Sequence, residues 1–139
     1  MGNIKDLHIV AVDDDDINLL ILKKILDNAG CVGTCFPEGD VTWEYLYNHP
    51  NDTDIVILDK MMDTMSGVEI VRRMKEHPIL RDIPIIMQTG DASPERIKEG
   101  LDIGVDRYIT KPFSPAQLME IVMEEAMKHH GHRPNSDAQ

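Results

Sequence analysis

The sequence predicts an α/β domain, an open and doubly wound parallel sheet of five strands with helices on both faces. Three observations predict it. Five short apolar runs recur along the chain, segments with helical period separate them, and polar residues able to do chemistry stand at the C-terminal ends of several runs. Alternation of this kind places consecutive strands parallel, with right-handed crossovers that bring every C-terminal end to one edge of the sheet.

The runs cover residues 7–12, 31–36, 54–58, 83–88 and 106–109. Several are nearly continuous in apolar, β-branched character, as strands covered on both faces have to be. They start about 25 residues apart, the length of one compact βα unit. Between them, Ile17, Leu20, Ile21 and Ile25 fall at i, i+3, i+4 and i+8, which predicts the buried face of a first helix ending at Gly30. Trp43, Leu46 and Tyr47 repeat the spacing in a shorter second helix. Ile70, Val71 and Met74 mark the third, opened by the capping box Ser66-x-x-Glu69. Ser93-Pro94 opens the fourth, with Ser as cap and Pro at the first helical position. Ser114-Pro115-Ala116-Gln117 opens the fifth and adds the Gln of a capping box. In that helix Leu118, Ile121, Val122 and Ala126 share the expected core face. Met119, Met123 and Met127 form a stripe beside it, expected to be at least partly exposed and to serve as an adaptable apolar surface. Residues 5–128 are thus expected to form the domain, and 129–139 a flexible polar tail.

Composition narrows the function. The 139 residues carry 14 Lys and Arg against 25 Asp and Glu, a formal charge of −11. That balance disfavours general nucleic-acid binding and docking on an anionic membrane. Hydrophobic residues at 42% and charged residues at 28% are globular values and exclude disorder. No apolar run approaches the ~20 residues of a membrane span, and the first residues carry no signal-peptide pattern. Cys31 and Cys35, on one face of a strand, read as packing and not as a disulfide framework. A cytoplasmic single domain is the expectation.

The strand ends carry the chemistry. The first run leads into Asp13-Asp14-Asp15-Asp16, the third into Asp59, the fourth into Thr89-Gly90-Asp91, and Lys111-Pro112 follows the fifth. Carboxylates crowded at neighbouring strand ends repel one another unless a cation sits among them. Hard oxygen donors with room for water suit Mg²⁺. A Lys and a Thr hydroxyl opposite them would meet phosphoryl oxygens, and Asp59 beside a metal would be a carboxylate nucleophile. Asp15 and Asp16 read as helix-capping acids.

Four segments, VDDDDIN (12–18), DIVILDKMM…SG (54–67), PIIMQTG (84–90) and YITKPF (108–113), stand in order at the ends of the right strands. With them the sequence resembles the receiver domain of two-component response regulators over about residues 5–128. The resemblance implies a flavodoxin-like (βα)5 fold with strand order 2-1-3-4-5. It implies that Asp59 accepts a phosphoryl group from the phosphohistidine of a sensor histidine kinase or phosphotransfer protein. Asp14 would bind Mg²⁺ directly with Asp13 assisting, and the backbone carbonyl of Met61 would complete the protein ligands. Lys111 would pair with phosphoryl oxygens, Thr89 would turn toward them, and Tyr108 would be the switch aromatic. The face made by the fourth helix, fifth strand and fifth helix would meet a second copy or a downstream partner. Such a domain catalyses only its own phosphorylation and dephosphorylation. Where the family usually shows Met-Pro after the phosphoacceptor, this chain has Met62-Asp63.

Three other functions are weighed against this one. A phosphohydrolase of the haloacid dehalogenase type needs Asp-x-Asp-x-Thr/Val, and Asp14-x-Asp16-x-Asn18 fails at the last position. A receiver-like interaction module that no longer takes phosphate has Asp63 as its support. A Ca²⁺ loop from Asp13 is ruled out by Ile17 at its fifth position and the lack of Gly at its sixth.

Overall fold

Five strands and five helices alternate as β1 (His8–Val12), α1 (Asp16–Asn28), β2 (Val32–Phe36), α2 (Gly39–Asn48), β3 (Ile55–Asp59), α3 (Gly67–Lys75), β4 (Ile85–Thr89), α4 (Pro94–Ile103), β5 (Arg107–Thr110) and α5 (Pro115–His129). The computed structural model describes residues 6–59, 65–91 and 93–129. Met61, Met62, Asp63 and the tail from residue 130 lie outside them, so the expectations placed on those residues have no structural counterpart. All pairings are parallel and the order is β2-β1-β3-β4-β5. The expected five-stranded, doubly wound sheet is therefore the observed one, with strand boundaries within two residues of the apolar runs.

Burial on both faces explains why those runs are continuous. Odd and even strand positions feed two separate cores. On one face Val10, Val12, Val56, Leu58, Ile85 and Met87 pack with Leu46 of α2 and Ile70, Val71 and Met74 of α3. On the other, Ile9, Ala11, Ile55, Ile57 and Ile86 pack with Leu22, Ile25 and Leu26 of α1 and Leu118 and Val122 of α5. β3 sits centrally and all five of its residues are buried, Asp59 included.

The helix starts follow their local chemistry. Asp15 caps α1, its side chain accepting from the N–H groups of Ile17 and Asn18. Ser66 accepts from Glu69 N at 3.1 Å, while the Glu69 carboxylate turns to Arg72 and Arg73 instead of closing the box. Ser114 and Gln117 close theirs in both directions, at 3.1 and 2.8 Å. Ser93 holds the cap position of α4 without a side-chain bond, and Pro94 supplies the rigid first turn. Gly30 does follow α1 as its stop, in the left-handed region at φ 89°.

Two helix faces differ from expectation. In α1, Ile17, Leu20 and Ile21 face solvent, at 72%, 62% and 44% exposure, and Leu22, Ile25 and Leu26 are the buried residues. The segment from Ile17 to Leu22 is apolar at every position but Asn18, so several stripes fit its period and only packing against the sheet selects one. In α5, Leu118 and Val122 are buried as expected, but the third fully buried residue is Glu125, held by Arg107 and Lys128. The Met stripe is graded, with Met119 half-buried, Met123 at 37% and Met127 at 63% exposure. Met119 borders α1, lining a groove with Ile21, Ile25 and Ala29, whereas Arg107 of β5 meets Glu124 and Glu125 on the other flank. The stripe therefore begins on the α1 side of α5 and not on the face shared with β5 and α4.

This assignment of faces predicts that Leu22→Ala and Leu26→Ala each lower the unfolding free energy by about 2–5 kcal/mol. Ile17→Ala and Leu20→Ala, at exposed positions, should change it by less than about 0.5 kcal/mol in the same urea titration.

Candidate functional site

The sheet order puts β1 between β2 and β3, so the C-terminal ends of β1 and β3 flank the topological switch point where such sheets bind ligands. Asp13 follows the last residue of β1, and Asp59 is the last residue of β3, with Val12 paired to Leu58 one step earlier. The carboxylates of Asp13, Asp14 and Asp59 each offer an oxygen within 4.8 Å of the others, the one such group among the described residues. Asp13 and Asp59 are buried and Asp14 is exposed, so the cluster opens to solvent on the Asp14 side.

Among the described residues, one cation, Lys111, is paired with two of these three acids. Lys111 Nζ lies 3.2 Å from Asp13 Oδ2 and 3.3 Å from Asp59 Oδ2. Two like charges about 4 Å apart repel by about 4 kcal/mol at an effective dielectric of 20, so the cluster carries strain that a further cation would relieve. Burial, then the hydrogen bond and charge of Asp13, push the Asp59 carboxyl up to about 6, against the pull of Lys111. For Lys111, burial acts downward, but the charges of Asp59 and Asp13 outweigh it and hold the ammonium above its ordinary value. Three convergent hard oxygens, two of them on buried acids beside Lys111, fit a divalent cation of the Mg²⁺ type. Asp13, Asp14 and Asp59 would hold it. Met61, whose carbonyl is the other expected ligand, is outside the described residues.

Of the remaining expected residues, Thr89 stands on the same edge and Tyr108 lies two positions back from it along the sheet. Thr89 ends β4, and its carbonyl accepts from Lys111 N at 2.8 Å, which ties the β4 end to the lysine. Its hydroxyl accepts from Asp91 N at 3.0 Å and faces Asp91 O at 3.3 Å. Tyr108 lies on β5 beside Met87, half-buried, with its hydroxyl donating to Arg96 O of α4 at 3.2 Å.

Four residues were not singled out for their role by the sequence. Asn18 and Gln88 form a polar bridge into the cluster: Asn18 Nδ2 donates to Asp13 Oδ2 and, at 2.9 Å, to Gln88 Oε1. Glu125 is the buried acid of α5. Gly100 is the one buried residue of α4, and a Cβ there would fall 1.6 Å from the Tyr108 hydroxyl oxygen. Glycine is disfavoured inside a helix, and close approach of a ring is a reason to keep it. A glutamine amid aliphatic strand residues and a glycine at mid-helix were the available signals.

Comparison with known proteins agrees with the fold. The family model for the response regulator receiver domain matches residues 9–123. The chain is 31% identical over 113 residues to the 3',5'-cyclic-nucleotide phosphodiesterase regA of Dictyostelium discoideum, covering 81% of this chain and 14% of that protein. It is likewise 31% identical to the response regulator RppA of Synechocystis, over 81% of this chain and 47% of that one. The chain thus spans half or less of the length of these relatives. Among solved structures, the chemotaxis protein CheY4 of Vibrio cholerae matches at a TM-score of 0.80 and 26% identity, over 86% of this chain and 98% of that one. The Francisella response regulator 1452 receiver domain matches at 0.80 and 27%, over 88% and 98%. This chain belongs to the response regulator receiver domain family of two-component signalling. Receiver domains generally bind Mg²⁺ in an acidic pocket and interact with histidine kinases or phosphotransfer proteins, and the Asp13, Asp14 and Asp59 cluster suits that ion.

Two predictions follow from the electrostatics and the packing. With its folded value raised from 3.8 to about 6, the Asp59 carboxyl contributes stability that is full below about pH 4 and is lost as pH rises through 6. Asp59→Asn should therefore raise the metal-free Tm at pH 7 by several degrees and flatten its fall between pH 4 and 6. Millimolar Mg²⁺ should raise the Tm of the parent more than that of Asp59→Asn. Separately, Gly100→Ala should destabilise the domain in chemical denaturation, although Ala favours a helix by about 1 kcal/mol, because the methyl displaces the Tyr108 ring.

Proposed function

We propose that this domain is a phosphorylation-driven switch in which Asp59 is the phosphoacceptor. The observation that carries the reading is the position of its buried carboxylate between Asp13, Asp14 and Lys111 at the sheet's switch point. In the reaction, an Asp59 carboxylate oxygen attacks the phosphorus of a phosphohistidine. The O–P bond forms, the N–P bond breaks, and the imidazole leaves with the electron pair and takes up a proton. Asp13, Asp14 and Asp59, with the Met61 carbonyl that the family resemblance implies, would hold Mg²⁺, which would supply charge neutralisation to the transferring group. Lys111, already 3.3 Å from Asp59, supplies the second positive contact to the phosphoryl oxygens. Asp14, on the open side of the cluster, is the direct ligand, and Asp13 is the assisting one. The domain's catalysis is confined to forming and losing its own aspartyl phosphate, which sets it apart from the phosphodiesterase part of its longer relative.

The switch runs through Thr89 and Tyr108. Turning the Thr89 hydroxyl toward a phosphoryl oxygen requires it to leave its two contacts with Asp91. That frees the β4–α4 connection beside Tyr108, whose ring and hydroxyl rest on α4 at Gly100 and Arg96. The output is read at α4, β5 and α5 by a second copy or a downstream protein, in the cytoplasm. Among the described residues no helix is long and apolar enough to cross a membrane. The donor is a sensor histidine kinase or phosphotransfer protein. It has to approach from the Asp14 side, where exposed Ile17, Leu20 and Ile21 stand on the neighbouring turns of α1. Residues 5–128 form the working module. Met119, beside α1, and the exposed Met123 and Met127 supply apolar contact to a partner and not to the phosphoryl site.

Incubation with acetyl phosphate and Mg²⁺, followed by intact-mass measurement, should add one phosphoryl group to the parent and none to Asp59→Asn or to EDTA-treated parent. Lys111→Ala should fold and still lose the structural response at Tyr108, read by NMR. Phosphorylation of Asp59→Asn to the parent's level would show that the nucleophile is another residue.

A further inference from the structure

We propose that Asn18 and Gln88 are positioning residues for the cation site, a two-amide relay that sets the orientation of the Asp13 carboxylate. This rests on the reading of Asp13, Asp14 and Asp59 as a Mg²⁺ site. Gln88 lies next to the end of β4, in a strand whose other inner residues are Ile85, Ile86 and Met87, and it has no exposed surface. A buried amide is costly there unless both its ends are bonded. Both are. Gln88 Nε2 donates to Val12 O at 3.3 Å, and Gln88 Oε1 accepts from Asn18 Nδ2 at 2.9 Å.

The chemistry of the groups allows one arrangement. Val12 O can only accept, so the NH₂ end of Gln88 must face β1 and its oxygen must face α1. Asn18 must then present its own NH₂ to Gln88, and the second hydrogen of that NH₂ points to Asp13 Oδ2. The direction of two amides is thereby inherited from one backbone carbonyl of the central sheet. At the end of the chain, Asp13 Oδ1 accepts from Asp15 N at 2.9 Å, and Oδ2 is shared between Asn18 and Lys111. Donors on both oxygens hold the plane of a carboxylate that has no exposed surface. Without Asn18, Oδ2 keeps Lys111, which is itself also bonded to Asp59.

A relay with only a structural role would be replaceable. An aliphatic side chain at 88 matches the neighbouring strand residues in kind, and the cost of Gln88→Leu is that Val12 O and Asn18 Nδ2 each lose one partner, while Asn18 keeps Asp13. What a leucine cannot do is orient Asn18. Outer partners of metal ligands act in this way, and their removal lowers metal affinity by about 10-fold or more.

The test is calorimetric titration of Mg²⁺ into the parent, Gln88→Leu, Asn18→Ala and the double variant, with metal-free Tm measured on each. Gln88→Leu and Asn18→Ala should each weaken Mg²⁺ binding about tenfold, with metal-free Tm within a few degrees of the parent. The double variant should bind no more weakly than the worse single one, because the two residues act in series. Asn18→Ala is a half-exposed helix position and keeps the test open if Gln88→Leu fails to fold. Single variants within twofold of the parent's affinity, or losses that multiply in the double variant, would overturn the relay while leaving the cation site standing. A parent that binds no Mg²⁺ would overturn the cation site and the relay with it.

Discussion

Three carboxylates held together at the ends of two adjacent parallel strands, against Lys111, are the constraint to which the rest of the domain is fitted. Asp13 and Asp59 can stand side by side only because β1 and β3 pair, and they pair only because the chain reverses its winding at β1. Placing charge in that crevice is unfavourable for the empty fold, as the upward-shifted Asp59 carboxyl shows. The unfavourable term is offset by two aliphatic cores, one on each face, which anchor β1, β3 and β4 along their whole length. Binding sites are commonly built this way, with local electrostatic strain held by packing elsewhere.

The same residues that crowd the acids also connect them to the far edge of the sheet. Lys111 touches Asp13 and Asp59 through its ammonium and the Thr89 carbonyl through its backbone N–H. Thr89 is engaged locally with Asp91, and Tyr108 leans on α4. α4 itself buries little besides Gly100, whereas α1 and α3 each bury three or more side chains or glycines. A helix with a single buried residue is held by less packing than α1 or α3. The architecture thus sets a rigid acidic centre beside a lightly held helix, and a short path of polar contacts lies between them.

Much of this was legible in the chain. Strands covered on both faces must be continuously apolar, so five such runs declared a parallel sheet and placed its ends within two residues. Acidic, hydroxyl and amino side chains immediately after those runs then had to share one edge, whatever the details of packing. Caps were legible for the same reason: Asp15, Ser66 and the Ser114–Gln117 pair act on backbone groups two or three residues away.

What depended on distant partners was not legible. Ile17, Leu20 and Ile21 are as apolar as Leu22 and Ile25, and only contact with the sheet decides which of them is core. Glu125 looks like a surface acid until Arg107, 18 residues away, is brought against it. Gln88 and Asn18 are separated by 70 positions, and neither amide has a direction until Val12 and Asp13 are placed beside them. Gly100 reads as a weak point in a helix until the Tyr108 ring covers it. Local hydrogen bonding and the alternation of apolar runs belong to the sequence by itself, because they act over a few residues. Which face is buried, and which polar group meets which, belongs to the tertiary structure, because those energies arise only between segments the chain has already folded together.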